Sequence, residues 1–173
     1  MNTLSLFFWF FITLFCTLSP AATGTQCPAG TYQPPGDASG QSCVSCPVGT
    51  YNKNFWQSTC SSCPSGSYCN VAGSNSFKRC PAGKYQAIPG SNSSLACLPC
   101  SIGTYNQNNG CNTCSSCPAG YYCDVVGATS SKPCPAGTYQ PFAGSNSSQD
   151  CLPCPIGTYS PYSGSYTCTS STG

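Results

Sequence analysis

CPAGTYQ at residues 27–33 returns unchanged at 134–140 and, with one substitution, as CPAGKYQ at 80–86. The common opening, Cys-Pro-x-Gly-x-Tyr, starts eight times, at Cys27, Cys46, Cys63, Cys80, Cys100, Cys117, Cys134 and Cys154. Every unit keeps the glycine and the tyrosine, and seven keep the proline, Ser101 being the exception. Proline presets φ for the second residue of a β-turn and glycine suits the fourth, so each opening predicts a turn over its first four residues. The chain then leaves the turn extended, and GTY or GSY reads as a short strand. The tyrosine ring is expected to cover a neighbouring disulfide while its hydroxyl stays in water. A unit this short buries little alone and must lean on its neighbours, as solenoid repeats do.

The small units group into a longer period of 53 to 54 residues. The expected organisation is a signal peptide over 1–21, then cysteine-rich repeats over 22–79 and 80–133 and a shortened third over 134–173. The leader rests on Leu4 to Leu18, a fifteen-residue apolar run followed by the small residues Ser19 and Ala21. It is shorter than the roughly 20 residues of a bilayer span, although a basic start is missing. No second long apolar run follows, so the mature chain is expected to be secreted and extracellular, with no membrane span after cleavage. After Cys168 the chain runs TSSTG, with Ser171 where the next opening cysteine would fall, so a natural end on a completed unit is expected.

Burial cannot be the main stabiliser. Beyond Ala21 there are eleven Leu, Ile and Val, plus Phe55, Phe77, Phe142 and Trp56. Seventeen cysteines accompany them, and in an exported chain these oxidise and restrict the unfolded state. If each unit closes on itself, the pairs are Cys27–Cys43, Cys46–Cys60, Cys63–Cys69, Cys80–Cys97, Cys100–Cys114, Cys117–Cys123, Cys134–Cys151 and Cys154–Cys168. Spacing leaves open a longer-range scheme in which Cys63 or Cys117 skips to a later unit. The within-unit scheme leaves Cys111 over, an unpaired residue that points to an intermolecular bond or a reactive thiol, unless it takes the partner given to Cys114. The fold class this predicts is a small disulfide-rich repeat protein. It would be an elongated rod of short β-hairpins and turns, with little helix and no central hydrophobic core.

Together, CPAGTYQ, CVSCPVGTY and CSSCPSGSYC resemble the ephrin-receptor-like cysteine-rich repeats of extracellular proteins, which are similar in turn to modules of tumour necrosis factor receptors. The likeness runs from Cys27 to Cys168. It implies ladder-like domains of short strands, a role in adhesion, receptor stalks, matrices or surface antigens, and no catalytic residues.

Several chemistries have little to work with. The Cys-x-x-Cys pairs at Cys43, Cys97 and Cys151, and Cys111-x-x-Cys114-x-x-Cys117, have zinc-ligand spacing, but in an oxidising compartment they read as disulfides, and no metal is expected. The chain has no His and no Glu, and Asp37, Asp124 and Asp150 stand apart as solvated loop residues. Neither an imidazole-dependent triad nor a carboxylate pair is available, so no enzyme activity and no cofactor are expected. A net charge of +2 spread this thinly disfavours nucleic acid as a partner.

The expected function is that of a secreted structural or adhesive repeat protein that assembles with itself into a filament or surface matrix. The alternative is a soluble receptor-like module gripping a protein ligand, with Phe55, Trp56, Phe77, Lys78 and Arg79 as contacts. The expected partners are other copies of the chain or other extracellular proteins. Asn92-Ser93-Ser94 and Asn146-Ser147-Ser148 add two N-glycosylation sequons at equivalent places in the second and third copies, where the first has no acceptor.

Overall fold

Each Gly-x-Tyr segment pairs with the two residues that precede the next unit, and this forms one minimal hairpin per unit. The computed structural model describes residues 27–37 and 42–170; the leader expected over 1–21 lies outside them. Thr31–Tyr32 pairs antiparallel with Val44–Ser45, and Thr50–Tyr51 with Ser61–Ser62. The same register recurs down the chain to Thr158–Tyr159 with Thr169–Ser170. Eight two-stranded hairpins result, with two short 3-10 turns at Ser94–Ala96 and Ser148–Asp150. The protein is a rod of stacked, disulfide-closed hairpins with almost no helix.

The turn sits one residue later than the sequence led us to expect. In every unit the fifth residue donates its amide to the carbonyl of the second, as Thr31 does to Pro28 at 3.0 Å. Proline is therefore the first turn residue and glycine the third, where φ lies between +77° and +87°. A left-handed third residue is the demand of a type II turn, and glycine meets it without steric cost. The turn bond uses only the carbonyl of the second residue, so Ser101 in place of proline keeps it, accepting from Thr104 at 3.0 Å.

Four backbone hydrogen bonds cross each of the seven junctions: each opening cysteine extends the hairpin before it by donating to that hairpin's turn glycine, as Cys100 does to Gly83 at 2.9 Å, and three more tie the successive hairpins together. The turn glycine donates to the seventh residue of the next unit, as Gly83 does to Asn106 at 2.8 Å. The seventh residue donates to the next unit's loop, as Gln86 does to Cys111 at 3.2 Å. A loop residue then donates back to the carbonyl of the preceding opening cysteine, as Gly110 does to Cys80 at 2.8 Å. A further constraint reaches two units along. A Cβ placed on Gly30, Gly49, Gly66, Gly83, Gly103 or Gly120 would collide with the carbonyl of Gly73, Gly90, Gly110, Gly127, Gly144 or Gly164 respectively. The turn glycine is thus fixed both by its φ and by this close backbone approach.

No aliphatic core lies inside the stack. Among the described residues the buried apolar set is ten cysteines and Ala128. The opening cysteines from Cys27 to Cys134 are at most 2% exposed, so cystine sulfur occupies the axis that leucine fills elsewhere. Tyr105 packs against Cys117, Cys123 and Ala128 of the next unit, where its ring covers the neighbouring disulfide.

Candidate functional surface

The seventh residue of each unit does most to hold the surface in place. Asn52 is 6% exposed, and its side-chain amide reaches back to the carbonyl of Thr31 at 2.8 Å, while its oxygen accepts from the Asn54 amide. Asn106 repeats this with Lys84 and Asn108. Gln86 and Gln140 turn the other way. Their amides donate to the carbonyls of Ala96 and Asp150, each at 2.8 Å, and their oxygens accept from Ile88 and Phe142. Sequence reasoning passed over this position although CPAGTYQ ends on it. Its signal was the restriction to Gln, Asn, Cys or Ser in all eight units.

Sixteen cysteines are joined within units: Cys27–Cys43, Cys46–Cys60, Cys63–Cys69, Cys80–Cys97, Cys100–Cys114, Cys117–Cys123, Cys134–Cys151 and Cys154–Cys168. In the third and sixth units the closing cysteine is itself the buried seventh residue, which explains their short loops. Among the described residues no group of three metal-ligating side chains comes together. Cys111 carries a free, half-buried thiol. It stands where the equivalent loops place Gln57, Ser74, Ser91, Ala128, Ser145 and Ser165, and its carbonyl accepts the same junction bond as theirs. Its surroundings form a shallow polar cleft of about 260 Å³ with Tyr105, Asn106, Asn108 and Thr113.

Phe55 and Trp56 project from the second unit, 57% and 59% exposed. Trp56 occupies the loop position that is glycine at the six later junctions and, at φ +63°, is the one non-glycine residue with positive φ among those described. Its junction bond to Cys27 is 3.2 Å, against 2.7–2.8 Å where glycine donates. A bulky residue in this region is strained by roughly 1–2 kcal/mol. Trp56 opens onto Pro34, Pro35 and Asp37 of the first unit. Phe77 lies apart from it, edge-on to Tyr51 at 5.3 Å in a separate cleft with Lys53. Lys78 and Arg79 are exposed, and the Arg79 stem lies over Gly110.

Asp124 stays an exposed loop residue, as expected, while Asp150 is drawn into the second 3-10 turn. Asp124 pairs with Lys132 at 2.8 Å, and their mutual hydrogen bond lowers the pKa of the carboxyl and raises that of the ammonium. Asp150 accepts from the Ser145 hydroxyl at 2.6 Å and from the Ser147 and Asn146 amides at 3.2 and 3.3 Å. The Ser145 bond first, then the two amides, holds this carboxyl below its ordinary pKa.

This ladder of disulfide-closed Gly-x-Tyr hairpins meets its match in one known family. The model described as tyrosine-protein kinase ephrin type A/B receptor-like fits three times, over residues 36–80, 56–97 and 91–134. The chain belongs to the ephrin-receptor-like repeat family. The matches span more than half of it, and the module is a non-catalytic, receptor-type extracellular one. No curated protein matches the chain. Membership in this family and the dense disulfides fit an extracellular protein, and no helix among the described residues is long and apolar enough to cross a membrane.

Sequence reasoning also missed a set of exposed aliphatic side chains. Val44 and Val48 flank one junction, Leu98 and Ile102 its equivalent 54 residues on, and Leu152 and Ile156 the next. All six are exposed, from 41% at Val44 to 107% at Ile156. The signal was the long period itself, which keeps these positions aliphatic in a chain otherwise poor in such residues.

Proposed function

We propose that this chain is an extracellular structural module that associates side by side with copies of itself. The observation that carries the reading is the repeated aliphatic pair, Val44 with Val48, Leu98 with Ile102, and Leu152 with Ile156, exposed once per long period. Exposed apolar groups recurring at a fixed interval offer a second copy a matching series of contacts to cover. A second copy has the same interval by construction. When one pair docks, the other two are brought into register, and linked weak contacts add as effective concentration. The low charge, +2 over the whole chain, offers little repulsion to such packing. Oxidation of two Cys111 thiols to an intermolecular disulfide by an extracellular oxidant would add a covalent lock to an assembled pair. Sedimentation velocity on the secreted protein is expected to give concentration-dependent species larger than a monomer. Leu98→Ser with Ile102→Ser should shift them toward monomer, and Cys111→Ser should remove only the reductant-sensitive fraction. A monomer at every concentration would reject this reading.

One observation favours a second reading, in which the rod binds a protein ligand at its second unit. Trp56 is held in a strained backbone conformation while remaining exposed, so its own burial does not offset the strain. Trp56→Gly would relieve that strain and leave the fold intact. If binding to an extracellular partner is the function, the same change should abolish it.

A further inference from the structure

We infer that Asn92 and Asn146 are N-glycosylated, each glycan rooted at the same place in the stack one long period apart. This rests on the extracellular reading, because the sugar is transferred only to chains entering the secretory route. In the transfer, the asparagine Nδ2 attacks the anomeric carbon of a lipid diphosphate-linked oligosaccharide. A C–N bond forms, the C–O bond to the diphosphate breaks, the lipid diphosphate departs with that electron pair, and one amide proton passes to the transferase.

The two loops divide the work of their three residues in the same way. The middle serine builds the turn: Ser93 Oγ accepts from the Leu95 amide at 3.2 Å, and Ser147 Oγ from the Gln149 amide at 3.1 Å. The outer two residues of each sequon are left to solvent. Asn92, Ser94, Asn146 and Ser148 are all exposed, and none of their side chains makes a hydrogen bond among the described residues. This sets the two asparagines apart from Asn52, Asn106, Gln86 and Gln140, whose amides are all tied to backbone carbonyls. The acceptor amide and the hydroxyl two residues on, which the motif requires, are therefore free together.

The seat is also shared. The Asn92 Cβ lies 3.6 Å from where a side chain on Gly49 would begin, and that of Asn146 lies 3.5 Å from the same point on Gly103. Each glycan would leave the rod beside the turn of the hairpin two units back. A bulky group rooted there would shield the neighbouring turn residues Val48 and Ile102 on one side, and so limit the directions from which a second copy can approach.

The test is to secrete the full chain from a glycosylating eukaryotic cell under its own leader and under a heterologous one. The product is treated with an amidase that converts a glycosylated asparagine to aspartate, and the peptides are weighed. Conversion at both Asn92 and Asn146 is expected. Asn92→Gln and Asn146→Gln should each remove one glycan, as should Ser94→Ala and Ser148→Ala, while Ser93→Ala and Ser147→Ala should leave occupancy in place. Secreted protein with both asparagines unconverted overturns the assignment. Conversion only under the heterologous leader supports the two sites and counts instead against the extracellular reading.

Discussion

At the scale of single residues, the turn glycine answers two demands, and substitution can separate them. Gly83 and Gly137 share nearly the same backbone, with φ of +77° and +81°. A Cβ on Gly83 would overlap the Gly127 carbonyl, whereas one on Gly137 has nothing within 4 Å. Both alanine variants must place an L-residue in the left-handed region, at a cost of roughly 1–2 kcal/mol. Gly83→Ala must also push a hairpin two units away off its seat, which adds about 1–3 kcal/mol by analogy with overpacked cores. Thermal unfolding without reductant is therefore expected to show Gly83→Ala clearly less stable than Gly137→Ala. Equal losses would mean that the two-unit contact has no energetic weight. Of the first demand the sequence showed the turn but not the left-handed φ, since the turn was read one residue early and glycine was placed fourth in it rather than third. The second was not legible, because no local pattern records which carbonyl returns two hairpins later. The seventh residue escaped notice for a similar reason. Gln and Asn look like ordinary loop residues until burial shows that their amides tie the loops down.

Among the elements, the hairpins were readable and the 3-10 turns were not. A Gly-x-Tyr segment with a tight turn before it has few conformations other than extended, while SNSSLA and SNSSQD carry neither period nor breaker. The two turns differ in one instructive way. Ser148–Asp150 has a full capping box with Asp150 as the acid, whereas Ser94–Ala96 has alanine at that place. Folding lowers the pKa of Asp150 below its ordinary value of 3.8, chiefly through the Ser145 hydroxyl and then through the Ser147 and Asn146 amides. The ionised carboxylate thus favours the folded turn at pH above 3.8, and this contribution drains away as the pH falls through the lower folded value. Carboxyl titration by NMR should find Asp150 below 3.8, with the Ser147 amide exchanging faster as the group protonates. Asp150→Asn should abolish that pH dependence and leave the 94–96 turn untouched. An Asp150 that titrates at its ordinary value would remove the box from the account.

For the whole molecule, the question is how far a local break travels. Among the described residues every disulfide closes within one unit, and the junction hydrogen bonds reach only the next unit, with the glycine contacts reaching one further. Such a chain approaches a one-dimensional array, whose stability is a sum of unit and neighbour contributions. The period that makes it so was plain in the sequence, and the family likeness fitted it. The reach of each contact was not plain, since it depends on how the hairpins rotate as they stack. Replacing Cys80 and Cys97 by serine opens the fourth unit and frees a loop worth about 3 kcal/mol in the chain-entropy picture. Amide exchange should then accelerate at Gly66 and Gly83, which donate across the junctions on either side of that unit, and at Gly90, whose carbonyl seats on Gly49. Gly120 and Gly137, whose bonds join the sixth to the seventh and the seventh to the eighth units, should keep the protection they have with all disulfides intact. Acceleration spread evenly from Gly30 to Gly137 would instead describe a single cooperative body. In that case the close approach of glycine to carbonyl would have to transmit disturbance well beyond the two units it touches.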